Sequence, residues 1–202
     1  MENNNGIDRT LEDLYSAIKY NNYDVVDRIL NEARNNEELL NKIVDKSHIY
    51  LGKAICNYPR SWHIIRQILN LPGVRVNDTT EESWPPLHLA CRYGALKVVE
   101  ALLANPNTDV NYVNDRRCTA LTEALHMGRT GVAKLLLSVP GINVNAAHPH
   151  APYSPLYWAV AFGYRSLARR LLRHKDIVID YKKLPDKAEE FFKSLKVELP
   201  CE

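Results

Sequence analysis

Pro85-Pro86-Leu87-His88-Leu89-Ala90 decides how this chain folds, because the stretch recurs. Thr119-Ala120-Leu121-Thr122-Glu123-Ala124 and Ser154-Pro155-Leu156-Tyr157-Trp158-Ala159 place their central leucines 34 and then 35 residues further along. Seven residues after each leucine comes a glycine: Gly94, Gly128 and Gly163. Eight residues after each glycine begins a leucine pair: Leu102-Leu103, Leu136-Leu137 and Leu171-Leu172. Seven residues past each pair stands Val110-Asn111, Val144-Asn145 or Ile179-Asp180. A fixed period of this size is the mark of a repeat architecture.

Each feature has a physical role. A leucine and an alanine three residues apart share one face of a short helix, and the small alanine lets a second helix approach. Glycine ends that helix in the left-handed conformation without a Cβ penalty. Leu96 to Leu103 then carries apolar residues at helical spacing and reads as a return helix. Asn105-Pro106-Asn107-Thr108-Asp109 cannot continue it and predicts a hairpin-like loop. One such helix pair cannot bury its apolar face alone, whereas stacked neighbours share a continuous core.

These motifs resemble the ankyrin repeat family. Its helix-opening Thr-Pro-Leu-His-x-Ala pattern is visible at Pro85 to Ala90 and, altered, at Thr119 to Ala124 and Ser154 to Ala159. The resemblance implies an all-α solenoid of about five stacked helix-turn-helix repeats, with hairpin loops and a C-terminal capping helix. The expected repeats run about 10–46, 47–79, 80–113, 114–147 and 148–180, after a mobile lead of residues 1–9. The cap and tail take up 181–202.

The first two repeats are irregular. Leu14 to Ala17 and Ile29-Leu30 keep the spacing, with Asn21 where glycine would end the helix; asparagine also tolerates the left-handed region. Leu51 to Ala54, Ile68-Leu69 and Val76-Asn77 form the second copy, interrupted at Pro59, which forbids an undisturbed helix. Between them Leu39, Leu40, Ile43 and Val44 either lengthen the preceding helix or form a short extra one. Ala188, Phe191, Phe192 and Leu195 lie on one stripe behind Pro185 and predict the capping helix. The family's paired threonine and histidine are never both present, so weaker local capping is expected. Its hairpin glycine is replaced by Ser83, Arg117 and Ala151, which puts the hairpin shape in question.

Composition excludes several classes. The chain has 202 residues, 46% apolar and 25% charged, with 26 basic against 24 acidic side chains. That balance argues against a disordered or polyanion-binding chain. No apolar run of roughly 18 residues exists, so no membrane-spanning helix is expected, nor is classical secretion. Cys56, Cys91, Cys118 and Cys201 lie far apart with no paired spacing, so neither a disulfide framework nor a thiolate zinc site is expected.

The resemblance places function in a concave groove lined by hairpin tips and first helices, which binds partner proteins. Carried over by position, the partner-binding set is Glu81, Glu82, Trp84, Arg92 and Tyr93; Asp115, Arg116, Cys118, His126 and Met127; His150, Tyr153 and Phe162; and Tyr20 in the first repeat. Aromatic, methionine and arginine side chains are enriched at the energetic centres of interfaces. Tyr20, Tyr93, Met127 and Phe162 are expected to form an exposed apolar track. The competing reading has these rings packed on neighbouring hairpins.

Cys118 and His126 could pair as nucleophile and base only with an orienting group and an oxyanion hole, neither of which the sequence offers. No catalytic residue is expected. His148-Pro149-His150 supplies two ligands where a closed metal site needs four, so no metal or cofactor is expected. Arg165, Arg169, Arg170, Arg173, His174, Lys175, Lys182 and Lys183 concentrate positive charge and read first as a solvated outer face, with nucleic acid or an anionic surface as the less favoured use.

The reading is therefore a monomeric, cytoplasmic protein-binding module and not an enzyme. Its rival is a targeting or regulatory domain of a larger catalytic protein. The pattern Leu-x-x-Pro-x-x-x-Val-Asn at Leu69, Leu103 and Leu137 is similar to that of ankyrin effectors of intracellular bacteria such as Legionella. That likeness, with a glutamate-bearing tail from Glu189 to Glu202, implies a secreted effector acting in a host cytoplasm.

Overall fold

A computed structural model describes residues 2–80, 84–146 and 154–195. Every regular element among them is helical. The chain divides into two compact units, Met1–Thr108 and Asp109–Glu202, with the boundary inside the third expected repeat.

The first unit holds α1 (Glu2–Tyr20), α2 (Tyr23–Ala33), α3 (Glu37–Asp45), α4 (Ser47–Cys56), α5 (Trp62–Leu69), α6 (Pro86–Tyr93) and α7 (Leu96–Leu103). The pairs α1–α2, α4–α5 and α6–α7 are the first three helical hairpins, and α4 packs between α1 and α6. Helix α1 runs through the segment expected as a mobile lead. Its buried Leu11, Leu14, Ala17 and Ile18 anchor the helix from its second half. The stretch 37–45 is a separate helix, started by Asn36, whose side chain accepts the Leu39 N–H. It buries Leu39 and Ile43.

The second unit holds α8 (Ala120–His126), α9 (Thr130–Leu136), α10 (Pro155–Ala161) and α11 (Arg165–Leu172) as two more hairpins. A 3-10 turn, Tyr181–Lys183, leads to α12 (Ala188–Leu195). The capping helix buries Ala188, Phe192 and Leu195 and packs on α10. Arg169 Nη2 donates to the Leu195 carbonyl at 3.2 Å, tying α11 to the end of α12.

The motif alanines explain the close helix approach: Ala54, Ala90, Ala124 and Ala159 are fully buried and Ala17 nearly so. Around them Leu51, Ile55, Ile64, Ile65, Ile68, Val98, Val99 and Leu102 form the core of the first unit, each excluded from water. Each such side chain contributes about 1.5–3 kcal/mol of gross burial. The turn residues behave as their chemistry requires, with Gly94, Gly128 and Gly163 at φ 70°, 69° and 71° and Asn21 at φ 55°.

Two expectations about local structure are corrected. Capping survives without the threonine and histidine pair: the Thr119 N–H donates to Thr122 Oγ1 at 2.8 Å, and the Thr122 N–H donates back to Thr119 Oγ1 at 3.3 Å. A hydroxyl three residues into the helix serves the reciprocal role. Ser154 likewise accepts the Tyr157 N–H at 3.2 Å. Only α6, of these three helices, starts without a side-chain cap, behind Pro85. The hairpin before α8 also closes without glycine, whereas Ser83 and Ala151, the other two replaced positions, lie outside the described residues. Arg117 takes φ 60°, its N–H donates to the Asn114 carbonyl at 2.8 Å, and the Asn114 N–H donates to the Cys118 carbonyl at 3.0 Å.

The asparagines of the Val-Asn motif join successive loops. In the first unit Asn77 Nδ2 donates to the Asn107 carbonyl at 2.6 Å. In the second, Asn111 Nδ2 donates to the Gly141 carbonyl at 2.8 Å while its Oδ1 accepts the Asn143 N–H at 2.7 Å. Asn145 repeats this pattern with the Asp176 carbonyl and the Val178 N–H, at 2.5 and 2.9 Å. The amide satisfies one donor and one acceptor of loop backbone that has no ladder of its own.

Candidate functional site

In the second unit, first helices α8 and α10 lie side by side and present a continuous group of rings. His126 stacks on Trp158, with centroids 4.4 Å apart and planes at 28°. Trp158 stacks on Phe162 at 5.4 Å and 12°, and Phe162 meets Tyr164 at 5.7 Å. Tyr157 stands edge-on to Trp158 at 5.3 Å. Local sequence explains the order: Trp158 and Phe162 are four apart, so they face the same way, and Ser154 and Pro155 start the helix in register. Gly128 keeps the other wall low, since a Cβ there would come 3.0 Å from the Tyr164 hydroxyl. Phe162 leaves 48% of its surface in water and His126 is exposed. Lys187 Nζ donates to the Ala161 carbonyl at 2.7 Å, beside Phe162.

The expected site residues divide as follows. Tyr20, Tyr93 and Phe162 are exposed at the carboxyl ends of their first helices, Tyr20 at 72%. Lys19 Nζ sits 5.2 Å from the Tyr20 ring centroid. Met127 occupies the corresponding place after α8 but is half-buried, short of the exposure expected of it. Trp84 is corrected outright: it is 4% exposed, with the half-buried Arg92 guanidinium 5.3 Å from its ring centroid, and is therefore a packing residue. Asp115 and Arg116 are exposed on the hairpin before α8. Glu81, Glu82, His150 and Tyr153 lie outside the described residues, as does the His148-Pro149-His150 string.

Cys118 is half-buried, and its Sγ donates to the Arg116 carbonyl at 3.5 Å. Burial pushes this thiol up and the Glu123 charge adds to that, against opposing pulls from a Thr122 hydrogen bond and Arg116. Such a thiol is a poor nucleophile at neutral pH. His126, the base it would need, spends its ring face on Trp158. Among the described residues no three potential metal ligands converge. The basic string is partly structural: Arg169 ties down the cap, and Lys183 Nζ pairs with Asp180 at 3.1 Å.

Sequence reasoning missed Trp158, Tyr157 and Tyr164. The first two stand inside the repeat motif itself, at positions that elsewhere read as scaffold. The available signal was the four-residue spacing of Trp158 and Phe162.

A family model for ankyrin repeats in three copies matches residues 14–148, about two thirds of the chain. The chain is an ankyrin repeat protein. It is 37% identical over 75 residues to the human SMC5-SMC6 complex localization factor protein 1, a match covering 37% of this ankyrin chain and 7% of that protein. It is 31% identical over 115 residues to the ankyrin repeat domain-containing protein SAT10 of Stachybotrys chartarum, covering 54% of this chain and 6% of that one. The chain thus matches small parts of long relatives. Among solved structures it is similar to the ankyrin repeat domain of Bcl-3, a member of the IkappaB protein family. There the TM-score is 0.67 at 24% identity, over 82% of this chain and 72% of that one. No described helix is long and apolar enough to cross a membrane.

Proposed function

We propose that this chain is a protein-binding module whose second unit docks a partner on the ring stack of α8 and α10. The carrying observation is the stack of His126, Trp158 and Phe162, with Phe162 half in water on a first-helix face. Adjacent rings with one exposed end offer a large contact area at little cost in side-chain entropy. Residues 109–202 carry 14 basic against 10 acidic side chains, so the favoured partner surface is apolar at its centre and acidic at its rim. Tyr20 and Tyr93 on the first unit extend the candidate set, as do Asp115, Arg116, Cys118 and His126 on the second; Trp84 leaves it.

The test is photocrosslinking. A benzoyl-phenylalanine at position 162 should capture the partner that the unmodified chain retains, and the same group at Lys134 on α9 should not. Equal capture from both positions, or undiminished retention by Phe162→Ala, would overturn the reading.

The effector reading rests on the Leu-x-x-Pro-x-x-x-Val-Asn motif and on the glutamate-bearing tail, of which residues 196–202 lie outside the described residues. Its experiment is a translocation assay with a reporter fused to the full chain. The rival reading, an address domain within a larger protein, draws support from the small share of its relatives that this chain matches. Full-length sequencing of the transcript decides it.

A further inference from the structure

The junction between the first two repeats departs from those ahead of α6 and α8, and a cleft lies beside it. Ahead of α6 the chain closes a loop in which the Thr80 N–H donates to the Trp84 carbonyl at 3.2 Å, and ahead of α8 the Asn114 hairpin does the same. Ahead of α4 there is no such loop. Helix α3 occupies the connection, and Lys46 is the single residue between α3 and α4. No hairpin therefore covers the amino-terminal turn of α4 or the flank of α1 beside it. A cleft of about 720 Å³ lies there, lined by Asp8, Leu11, Glu12, Tyr15 and Ser16 of α1 and by Lys46, Ile49 and Tyr50. Its size is within the roughly 300–1,000 Å³ of small-ligand pockets.

The lining is amphipathic in an ordered way. Leu11 and Tyr50 are buried, while Ile49 and Tyr15 are partly open, Tyr15 with 38% of its surface in water. Asp8 and Glu12 are exposed and one helical turn apart, a like-charge spacing that weakens a helix. Neither is in an ion pair among the described residues. The lining thus combines two acidic side chains with apolar ones and a single basic one, Lys46, while Lys53 Nζ lies 5.9 Å from the Tyr15 ring centroid.

From the missing hairpin, the cleft beside it and the unneutralised acidic pair, we infer a second binding site, for a basic linear peptide segment. An aromatic or branched aliphatic side chain enters between Tyr15 and Ile49, and an adjacent lysine or arginine meets Asp8 and Glu12. This site is independent of the ring stack: it is built on the first unit and takes a segment of opposite charge.

The experiment pans a phage-displayed library of random peptides about 12 residues long against the full chain and its Glu12→Lys variant. The expected consensus for the unmodified chain is a large apolar residue within two positions of lysine or arginine. In fluorescence anisotropy the leading peptide should lose about tenfold or more in affinity on Glu12→Lys or Tyr15→Ala, and should weaken with added salt. Phe162→Ala should leave it unchanged, which separates this site from the ring stack. Circular dichroism confirms that the variants fold; Asp8→Asn, which alters no packing, is the milder check and should weaken binding in the same direction. An acidic consensus, no consensus, or affinity indifferent to Glu12→Lys overturns the inference.

Discussion

His126 lies nearly flat on Trp158, a contact that joins α8 to α10 through rings one motif apart in the chain. The stack packs α8 against α10, and its water-exposed end at Phe162 is the part proposed for recognition.

Phe162, half in water, contributes little to the fold. Phe162→Ala is expected to cost less than about 1 kcal/mol of stability, whereas half-buried Trp158→Ala costs roughly 2–3 kcal/mol. Urea unfolding gives both values. Partner binding should fall with either change. A Phe162→Ala variant as unstable as Trp158→Ala would show that the exposed end of the stack is structural.

The asparagine links predict a loop-specific loss. Asn111→Ala removes one donor and one acceptor bond and is expected to cost about 1–2 kcal/mol. Asn111→Asp keeps the acceptor for the Asn143 N–H but places negative charge against the Gly141 carbonyl, so it should not restore stability. Wild-type midpoints for Asn111→Asp in chemical denaturation would remove the donor from the account.

Arg117 holds a left-handed conformation that costs an L-residue roughly 1–2 kcal/mol. Arg117→Gly relieves this and gives back part through the greater entropy of the unfolded chain. The expected net gain is about 0.5–1 kcal/mol, read as a rise in thermal midpoint. A fall in midpoint would mean that the arginine side chain itself holds the hairpin.

Gly52 sits in mid-helix because of its neighbour. A Cβ there would come 2.5 Å from Thr80 Cγ2 and 3.3 Å from Leu89 Cδ1. Alanine would gain about 1 kcal/mol of helix propensity, yet the clash should win, with Gly52→Ala destabilising by roughly 1–2 kcal/mol. On a Thr80→Ser background the methyl is gone, and the same substitution should become neutral or stabilising. An unchanged effect on that background refutes the steric explanation.

His48 supplies a pH dependence. Burial holds its imidazole below the usual value, with Arg75 acting in the same sense and Asp78, 4.0 Å away, opposing. The unfolded chain therefore takes up a proton before the folded one does, so stability rises with pH through this window. The contribution is complete above the unfolded value of about 6.5 and is lost as pH falls through the lower folded value. Unfolding of wild type and His48→Gln between pH 7.5 and 5 should show a shallower acid loss in the variant. Parallel curves would assign the acid sensitivity elsewhere.

The repeat frame was legible from spacing because each of its features acts locally. Helix-ending Gly94, Gly128 and Gly163, the helix faces of Leu87 and Ala90, and the loop chemistry around Pro106 need only their neighbours in the chain. Asn21 was readable for the same reason, standing for glycine at φ 55°. What residues do across repeats was not readable. Whether a motif position is scaffold or surface depends on the side chain 30 or more residues away that packs against it. Trp84 was expected at the contact surface and is buried, with the Arg92 guanidinium 5.3 Å from its ring centroid, while Trp158, absent from the expected contact set, lies at the centre of the ring stack. Helix α3 could be read as an apolar stripe, but only its packing on α2 and α4 showed that it takes the place of a hairpin. Hydrogen-bonded turns and helix faces are determined within a few residues. The openness of a surface is determined by what a distant segment fails to cover, and tertiary packing alone decides that.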